Sequence, residues 1–448
     1  MQSLFFFVIA LAILIAIHEF GHFWVARRCG VKVLKFSIGF GKPIWQKTAS
    51  NGTQYILAAI PLGGYVKMLD EREGDVPVEQ LDQAFNRQSL GKRTAIVAAG
   101  PIANLLFAIV AYWLVFISGI PGIKPIVDEV EVGSPAAVAQ LMPGDQINKI
   151  NGELTPTWSS VNQAFMTIAE QGGTAELSVL TQDIEHLRRI EITKQSLLTD
   201  EPKSIIKQLG LVPMLYDLKP VIGQVMPQQA AELAGLQTGD IILLTDGQKI
   251  DSWRAWVEVI KASPETELTI ALNRDNRLTT LTLKPNRSEE GHGFIGAGVD
   301  ATATAMPDAL KSELRYGPLE GIVKAVNMTW QMSSLTIRSF IAMLKGELSS
   351  KNLGGPISIA QFAGASADKG ITAFISFLAI ISISLGILNL LPIPILDGGH
   401  LMLYFFEWLR GKPISETVQL QGQKIGLILL LTLMFFAFFN DLSRLFGL

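Results

Sequence analysis

Two imidazoles stand four residues apart in His18-Glu19-Phe20-Gly21-His22, with a carboxylate between them. On a helix, positions i and i+4 share a face, so both rings reach one ion and Glu19 stands beside it as a general base. The chemistry such a pattern serves is hydrolysis by a metal-activated water. The chain has only five histidines, which makes a chance arrangement of this kind improbable. Its single cysteine, Cys29, excludes an intrachain disulfide and any C-x-x-C metal or redox pair. A metal is therefore held by histidines and carboxylates, and the ligand type favours zinc.

A catalytic zinc site needs a third protein ligand and one open position. A metzincin pattern would place Gly at position 25 and His at position 28, where this chain has Val25 and Arg28. A thermolysin-like pattern would place a Glu roughly twenty residues on, yet no acidic residue occurs until Asp70. The third ligand therefore comes from elsewhere. Near the other end of the chain, an apolar stretch closes with Asn389-Leu-Leu-Pro392-Ile-Pro394-Ile-Leu-Asp397-Gly-Gly-His400. Pro392 and Pro394 break the helix, and backbone freed this way at membrane depth is tolerated only around a protein-lined cavity. Asp397 follows the break and is the preferred ligand. His400, three residues on in a Gly-flanked turn, is its rival and is read as a neighbouring or neutral group. Asn389 has two readings: it holds a substrate carbonyl or helix end, or it bonds to another helix.

Positioning these groups requires a membrane. Of the 448 residues, 49% are hydrophobic and only 17% charged, with a mean hydropathy of +0.34. Soluble proteins carry about 25% charged residues. Net charge of −3 and a pI near 6.0 exclude an electrostatic case for nucleic-acid binding. Four stretches are apolar enough to span: Leu4–Val25, Thr94–Ile117, Ile371–Leu391 and Ile425–Phe439. A span takes roughly 17–25 residues, so the fourth needs Val418–Lys424 to extend it. The charged and polar residues within Leu319–Leu344 make that segment an amphipathic surface helix rather than a fifth span. The first stretch lacks a positive segment before it and a small-residue cleavage site, so it is not read as a signal peptide.

The loop between spans one and two holds eleven lysines and arginines, from Arg27 to Arg93. Positive residues favour the cytoplasmic side, which puts both termini and the long segment from about 118 to 370 outside. His18, roughly 21 Å into a core about 30 Å thick, then lies at the same cytoplasmic-side depth as Asp397.

The long segment contains an internal repeat: Pro143-Gly-Asp145 and Thr238-Gly-Asp240 each reach a closing glycine, Gly152 and Gly247, seven positions after the Asp. Short helix, Gly-Asp turn, apolar strand and second Gly turn resemble the PDZ domain, once over about 122–215 and again over about 216–305. The first copy reads as one residue shorter before its Gly-Asp, with Gln140-Leu141 against Ala234-Gly235-Leu236. PDZ folds add an extended peptide to a sheet edge; the plainer reading makes both copies spacers or gates. After span one, Asn51-Gly52 between Ile44–Lys47 and Tyr55–Ile60 signals a β-hairpin beside the membrane.

His18-Glu19-x-x-His22 together with Asn389-x-x-Pro392-x-Pro394-x-x-Asp397-Gly398 resembles the site-2 protease family of intramembrane metalloproteases. The two PDZ-like repeats, Gly39-x-Gly41, Gly63–Met68 and Leu353-Gly-Gly-Pro-Ile357 are similar to its sigma-E-regulating bacterial branch. The resemblance implies a polytopic α-helical membrane protein with four transmembrane helices, two α+β PDZ-like domains between spans two and three, and a membrane-associated β-hairpin after span one. Its segments would run 1–26, 27–93, 94–117, 122–215, 216–305, 306–370 (amphipathic helices at the substrate's approach), 371–400, 401–424 and 425–440. His18, His22 and Asp397 would ligate Zn2+, with Glu19 activating water. Gly63, Gly64 and Tyr65, with Asn389, Pro392 and Pro394, would meet the substrate. The implied partners are the lipid bilayer and single-span proteins such as an already trimmed anti-sigma factor or a remnant signal peptide. The implied setting is the bacterial inner membrane and an envelope stress response, with the PDZ pair as a size filter. Two other classes compete: a scaffold with a structural zinc, which has no use for Glu19, and a metal transporter, which would show inverted membrane repeats.

Overall fold

The computed structural model describes residues 2–194, 204–288, 291–349, 354–412 and 414–446. Leu353 of the Leu353–Ile357 motif lies outside them, as do Met1, 195–203, 289–290, 350–352 and 413 from the segments expected above. The chain forms two compact units: one comprises the chain up to Ile120 and from Leu314 onward, the other the described chain between Pro121 and Glu313.

In the first unit, helices α1 (Gln2–Arg28), α2 (Leu90–Ser118), α5 (Ile371–Leu390) and α7 (Glu416–Phe446) are joined by α3 (Pro318–Leu344), α4 (Pro356–Asp368) and α6 (Asp397–Arg410). Among the described residues, α1, α2, α5 and α7 are the four helices long and apolar enough to cross a membrane. In lipid a helix satisfies its own backbone, which is why long apolar runs take this form. The fourth run gains its length by starting at Glu416. α3 buries Ala325, Thr329 and Ser333 along one face while Leu319 and Trp330 are exposed, the pattern of a surface helix. Trp113 of α2 donates its indole N–H to the Pro318 carbonyl at 2.9 Å.

Apolar tails attract lipid as readily as one another, so membrane helices associate through small residues and polar links. Gly21 of α1 rests on the Ala99 backbone of α2. Gly386 of α5 lies against Pro101 and Asn104 of α2, and Ser382 donates to the Asn104 carbonyl at 2.8 Å. Asp441 of α7 caps α4, accepting from the amides of Gly355 (3.0 Å), Ile357 (2.8 Å) and Ser358 (3.1 Å). These are the orphan donors of a helix N-terminus, and they account for the Gly-Pro-Ile of that motif.

Strands β1 (Val33–Thr48) and β2 (Gln54–Met68) each fold back on themselves. Thr48 pairs with Gln54 and Trp45 with Leu57 around the Asn51-Gly52 turn. Phe36 faces Val66 on one side and Tyr55 on the other, and Ser37 faces Tyr65 and Ile56. The 33–38 stretch is thus an inner strand and 64–68 an edge. One face of this sheet packs Val33, Phe36, Tyr55 and Val66 onto Phe23 and Ala26 of α1 and Ile96 of α2.

The second unit holds two α+β bodies of identical strand order. In the first, Glu153–Leu154, Gln146–Ile150, Gly173–Thr181 and Ile184–Ile192 form the sheet, with the helix Trp158–Ala169 over it. In the second, Gln248–Lys249, Ile241–Thr245, Leu268–Arg274 and Arg277–Leu283 do so, with the helix Trp253–Ala262. Each has its own apolar core, around Phe165 in the first body and Trp256 in the second. The paired aspartates are buried and accept from the amide three residues earlier, Met142 for Asp145 (2.9 Å) and Gln237 for Asp240 (2.8 Å). One expectation is corrected: the first copy is not a residue short. The Leu141 amide donates to the Ala136 carbonyl as Leu236 does to Ala231, both at 3.0 Å. Gln140, at φ 59°, occupies the left-handed position that Gly235 holds at φ 81°. A side chain in that conformation costs roughly 1–2 kcal/mol, part of which glycine returns as backbone entropy. Gln140→Gly is expected to stabilise the first body by about 1 kcal/mol, read as a rise in its unfolding temperature; an unchanged or lower value would show that Gln140 is not strained.

Candidate active site

α1 delivers the two imidazoles to one face. His18 and His22 meet edge to face, with their Nε2 atoms 3.2 Å apart. The Asp397 carboxylate, from the first turn of α6, sits 3.1 Å from His18 Nε2 and 3.5 Å from His22 Nε2. All three donor atoms lie within 4.8 Å of one another. His22 Nδ1 is 2.8 Å from the Ile96 carbonyl of α2. A carbonyl only accepts, so Nδ1 carries a proton, and in the neutral ring this leaves the Nε2 lone pair on the side of Asp397. Gly100 of α2 makes the space: a Cβ there would collide with His22 Nε2 and His18 Cε1. A fixed tautomer, a converging His-His-Asp donor set and this hollow fit a zinc ion with one position left open.

Asp397 reaches the histidines because the chain breaks between α5 and α6. Ile395 there has φ 112°, a conformation that a β-branched residue holds only when its surroundings impose it, at roughly 1–3 kcal/mol. Gly398 and Gly399 lie directly on the carbonyls of Leu390, Leu391 and Ile393, where any side chain would clash. Farther along α6, Glu407 accepts from Arg93 of α2 at 2.6 and 3.3 Å, and the guanidinium stacks 5.0 Å from the Tyr404 ring. Both partners are about 15% exposed, so this ion pair clasps α6 to α2 at the end away from Asp397.

The donors open on a cavity of about 970 Å3 whose walls include Glu19, Gly63, Gly64, Tyr65, Asn389 and His400. Glu19 is buried at 8% exposure. Gly64 brings the edge strand onto α1, since a Cβ there would lie 2.8 Å from Glu19 Cγ, and Tyr65 stacks on Phe40. Pro392 and Pro394 are not among the cavity walls; Pro394 packs instead against Gly422 and Gly426 of α7. His400 shares the cavity but is not in the three-residue donor cluster. The two half-motifs gave no sign that the second span, α2, takes part in the site through Arg93, Ile96, Gly100 and Asn104. Its sequence signal was Gly100-Pro101 and a carboxamide, Asn104, in the middle of an apolar span.

Residues 6–433 match peptidase family M50. The chain belongs to that family. Curated relatives include the regulator of sigma E protease of Salmonella typhi, 44% identical over 98% of both chains. The regulator of sigma-E protease RseP of Escherichia coli K12 is likewise 44% identical over 98% of both, and protease RseP of Yersinia pestis 43% over 99% of both. Among solved structures, the PDZ domain of an SdrC-like protein from Listeria monocytogenes aligns with 19% of this chain and 90% of its own at 20% identity, with a TM-score of 0.17 that carries no weight. This M50 peptidase is a membrane metalloprotease of the site-2 type.

The Arg93–Glu407 clasp is testable in it. Arg93→Glu or Glu407→Arg leaves a half-buried charge facing its like, a loss of about 3–5 kcal/mol. The double exchange should regain much of the unfolding temperature of the detergent-solubilised enzyme. Purely additive losses in the double variant would mean the two residues do not act as a pair.

Proposed function

We propose that this chain hydrolyses peptide bonds within transmembrane segments of single-span proteins, with zinc held by His18, His22 and Asp397 and Glu19 as the general base. The observation that carries the reading is the convergence of three ligand-type atoms within 4.8 Å on a cavity shared with buried Glu19. When bound, zinc supplies the Lewis acidity that polarises a peptide carbonyl and acidifies a water.

The chain's own residues do the remainder. Glu19 takes the proton of the attacking water and returns it to the departing amine. Burial keeps bulk water from competing, while the polar walls of the cavity admit the one needed for hydrolysis. A helical substrate hides its peptide bonds in its own hydrogen bonds, so it must unwind, and in lipid the freed groups need partners. The 64–68 strand pairs on one side only among the described residues, so its other edge, from Gly64 through Tyr65, offers them by strand addition. Asn389, on the same cavity wall, holds a carbonyl of the unwound segment. Pro392 and Pro394 shape this site through the helix break rather than by touching substrate.

The positive loop after α1 favours a cytoplasmic site, with both termini and the two α+β bodies on the periplasmic side of an inner membrane. The two bodies are PDZ domains that turn away substrates with bulky outer domains. Kinship with regulators of sigma-E supports an anti-sigma factor, trimmed beforehand, as the substrate whose cleavage starts a stress response; remnant signal peptides have the same single-span form.

Processing of a single-span reporter in membranes tests this, with zinc quantified on each purified protein. Glu19→Gln should abolish cleavage, by 100-fold or more on the usual scale of a general base, while retaining zinc. Asn389→Leu should slow cleavage with zinc unchanged. Equal processing by wild type and Glu19→Gln would end the protease assignment of this site.

A further inference from the structure

Asn104 is wholly buried in the middle of α2, at 0% exposure, and the proposed hydrolysis makes no use of it. Its carboxamide Nδ2 lies 3.3 Å from His18 Nδ1, and its Oδ1 is buried without a hydrogen-bond partner among the described residues. An amide N–H donating to Nδ1 would put the imidazole proton on Nε2. That is the nitrogen facing both Asp397, at 3.1 Å, and His22 Nε2, at 3.2 Å, and a protonated Nε2 has no lone pair for a metal. Half a turn about the Cβ–Cγ bond exchanges the amide oxygen and nitrogen, which are nearly equal in size. Oδ1 then accepts from Nδ1–H, the orphaned acceptor gains a donor, and the Nε2 lone pair is freed toward Asp397.

His22 already has this arrangement, because the Ile96 carbonyl at its Nδ1 can only accept. Ile96 and Asn104 belong to the same helix, so α2 would set both rings in the same way. The Asn104 position is itself braced by α5: Ser382 donates to its carbonyl at 2.8 Å, and Gly386 leaves room for its Cβ.

We infer that Asn104 is a positioning residue for His18, its side-chain oxygen accepting the Nδ1 proton so that Nε2 is presented to the ion. The inference rests on the zinc reading of the site. Its test is the zinc dissociation constant of the purified full-length protein in detergent, by competition with a chromophoric chelator. Wild type, Asn104→Leu and Asn104→Asp are compared, with unfolding temperatures measured alongside. Leucine has the branched shape of asparagine, with bulkier methyl tips, and cannot accept; it is expected to weaken zinc by about 10- to 100-fold, the usual cost of losing the partner behind a ligating histidine. Aspartate keeps an accepting oxygen and is expected to restore most of the affinity. Zinc bound by Asn104→Leu as tightly as by wild type would overturn the inference and leave the zinc site standing. So would an aspartate variant that melts like wild type yet binds as weakly as leucine. Wild type binding no zinc would overturn the site reading itself. The 15N spectrum of histidine-labelled protein with zinc adds a second check: a protonated Nδ1 on His18 whose proton loses its hydrogen-bond shift in Asn104→Leu supports the assignment, and an unprotonated Nδ1 in wild type refutes it.

Discussion

Two imidazoles on a helix apolar enough to cross a membrane, with a carboxylate brought against them, impose a severe demand, because ionisable groups in a span are costly unless they find one another or an ion. The demand is met by two chain segments nearly 380 residues apart in sequence, His18 with His22 on one side and Asp397 on the other. Neither could hold its place by itself. α2 does so for both: it touches the imidazoles through Ile96, Gly100 and Asn104, and grips α6 through Arg93. The helix from which no site residue was expected is therefore the one against which the proposed ligands are set.

Small residues make this possible. Gly21, Gly100 and Gly386 remove side chains where α1, the imidazole pair and α5 press on α2. In water, burial of apolar surface would drive such contacts, but in lipid the gain comes from close packing and a few hydrogen bonds. The Ser382–Asn104 and Asp441–α4 bonds are of that kind. The break between α5 and α6 is the exception, a strained backbone around Ile395 enforced by two prolines and the Gly398-Gly399 contact. Strain of this sort persists where its surroundings over-determine it, and here it aims Asp397.

The β-region follows the same economy. Its apolar face lies on α1 and α2, and Gly64 brings its edge to within a side chain of Glu19. Glu19, the proposed base, thus shares one cavity with Gly64 and Tyr65 of a strand edge that is unpaired among the described residues.

Much of this was legible without coordinates where the signal is local. Helical spacing puts His18 and His22 on one face, apolar runs mark the spans, Asn51-Gly52 marks a hairpin, and the two Gly-Asp turns mark a repeat, because each is a property of a few neighbouring residues. The repeat's register was misjudged for a related reason: a glutamine gives no sign that it will adopt the left-handed conformation a glycine takes in the sister copy. The role of α2 was not legible, since Gly100 and Asn104 look like ordinary residues of an apolar helix until the imidazoles are seen against them. Which histidine nitrogen faces Asp397, which edge of the sheet lies beside Glu19, and which of the break residues line the cavity all depend on distances between segments remote in sequence. Spacing along one helix or strand is set by backbone geometry. Proximity between elements is set by packing, and only the folded chain brings it about.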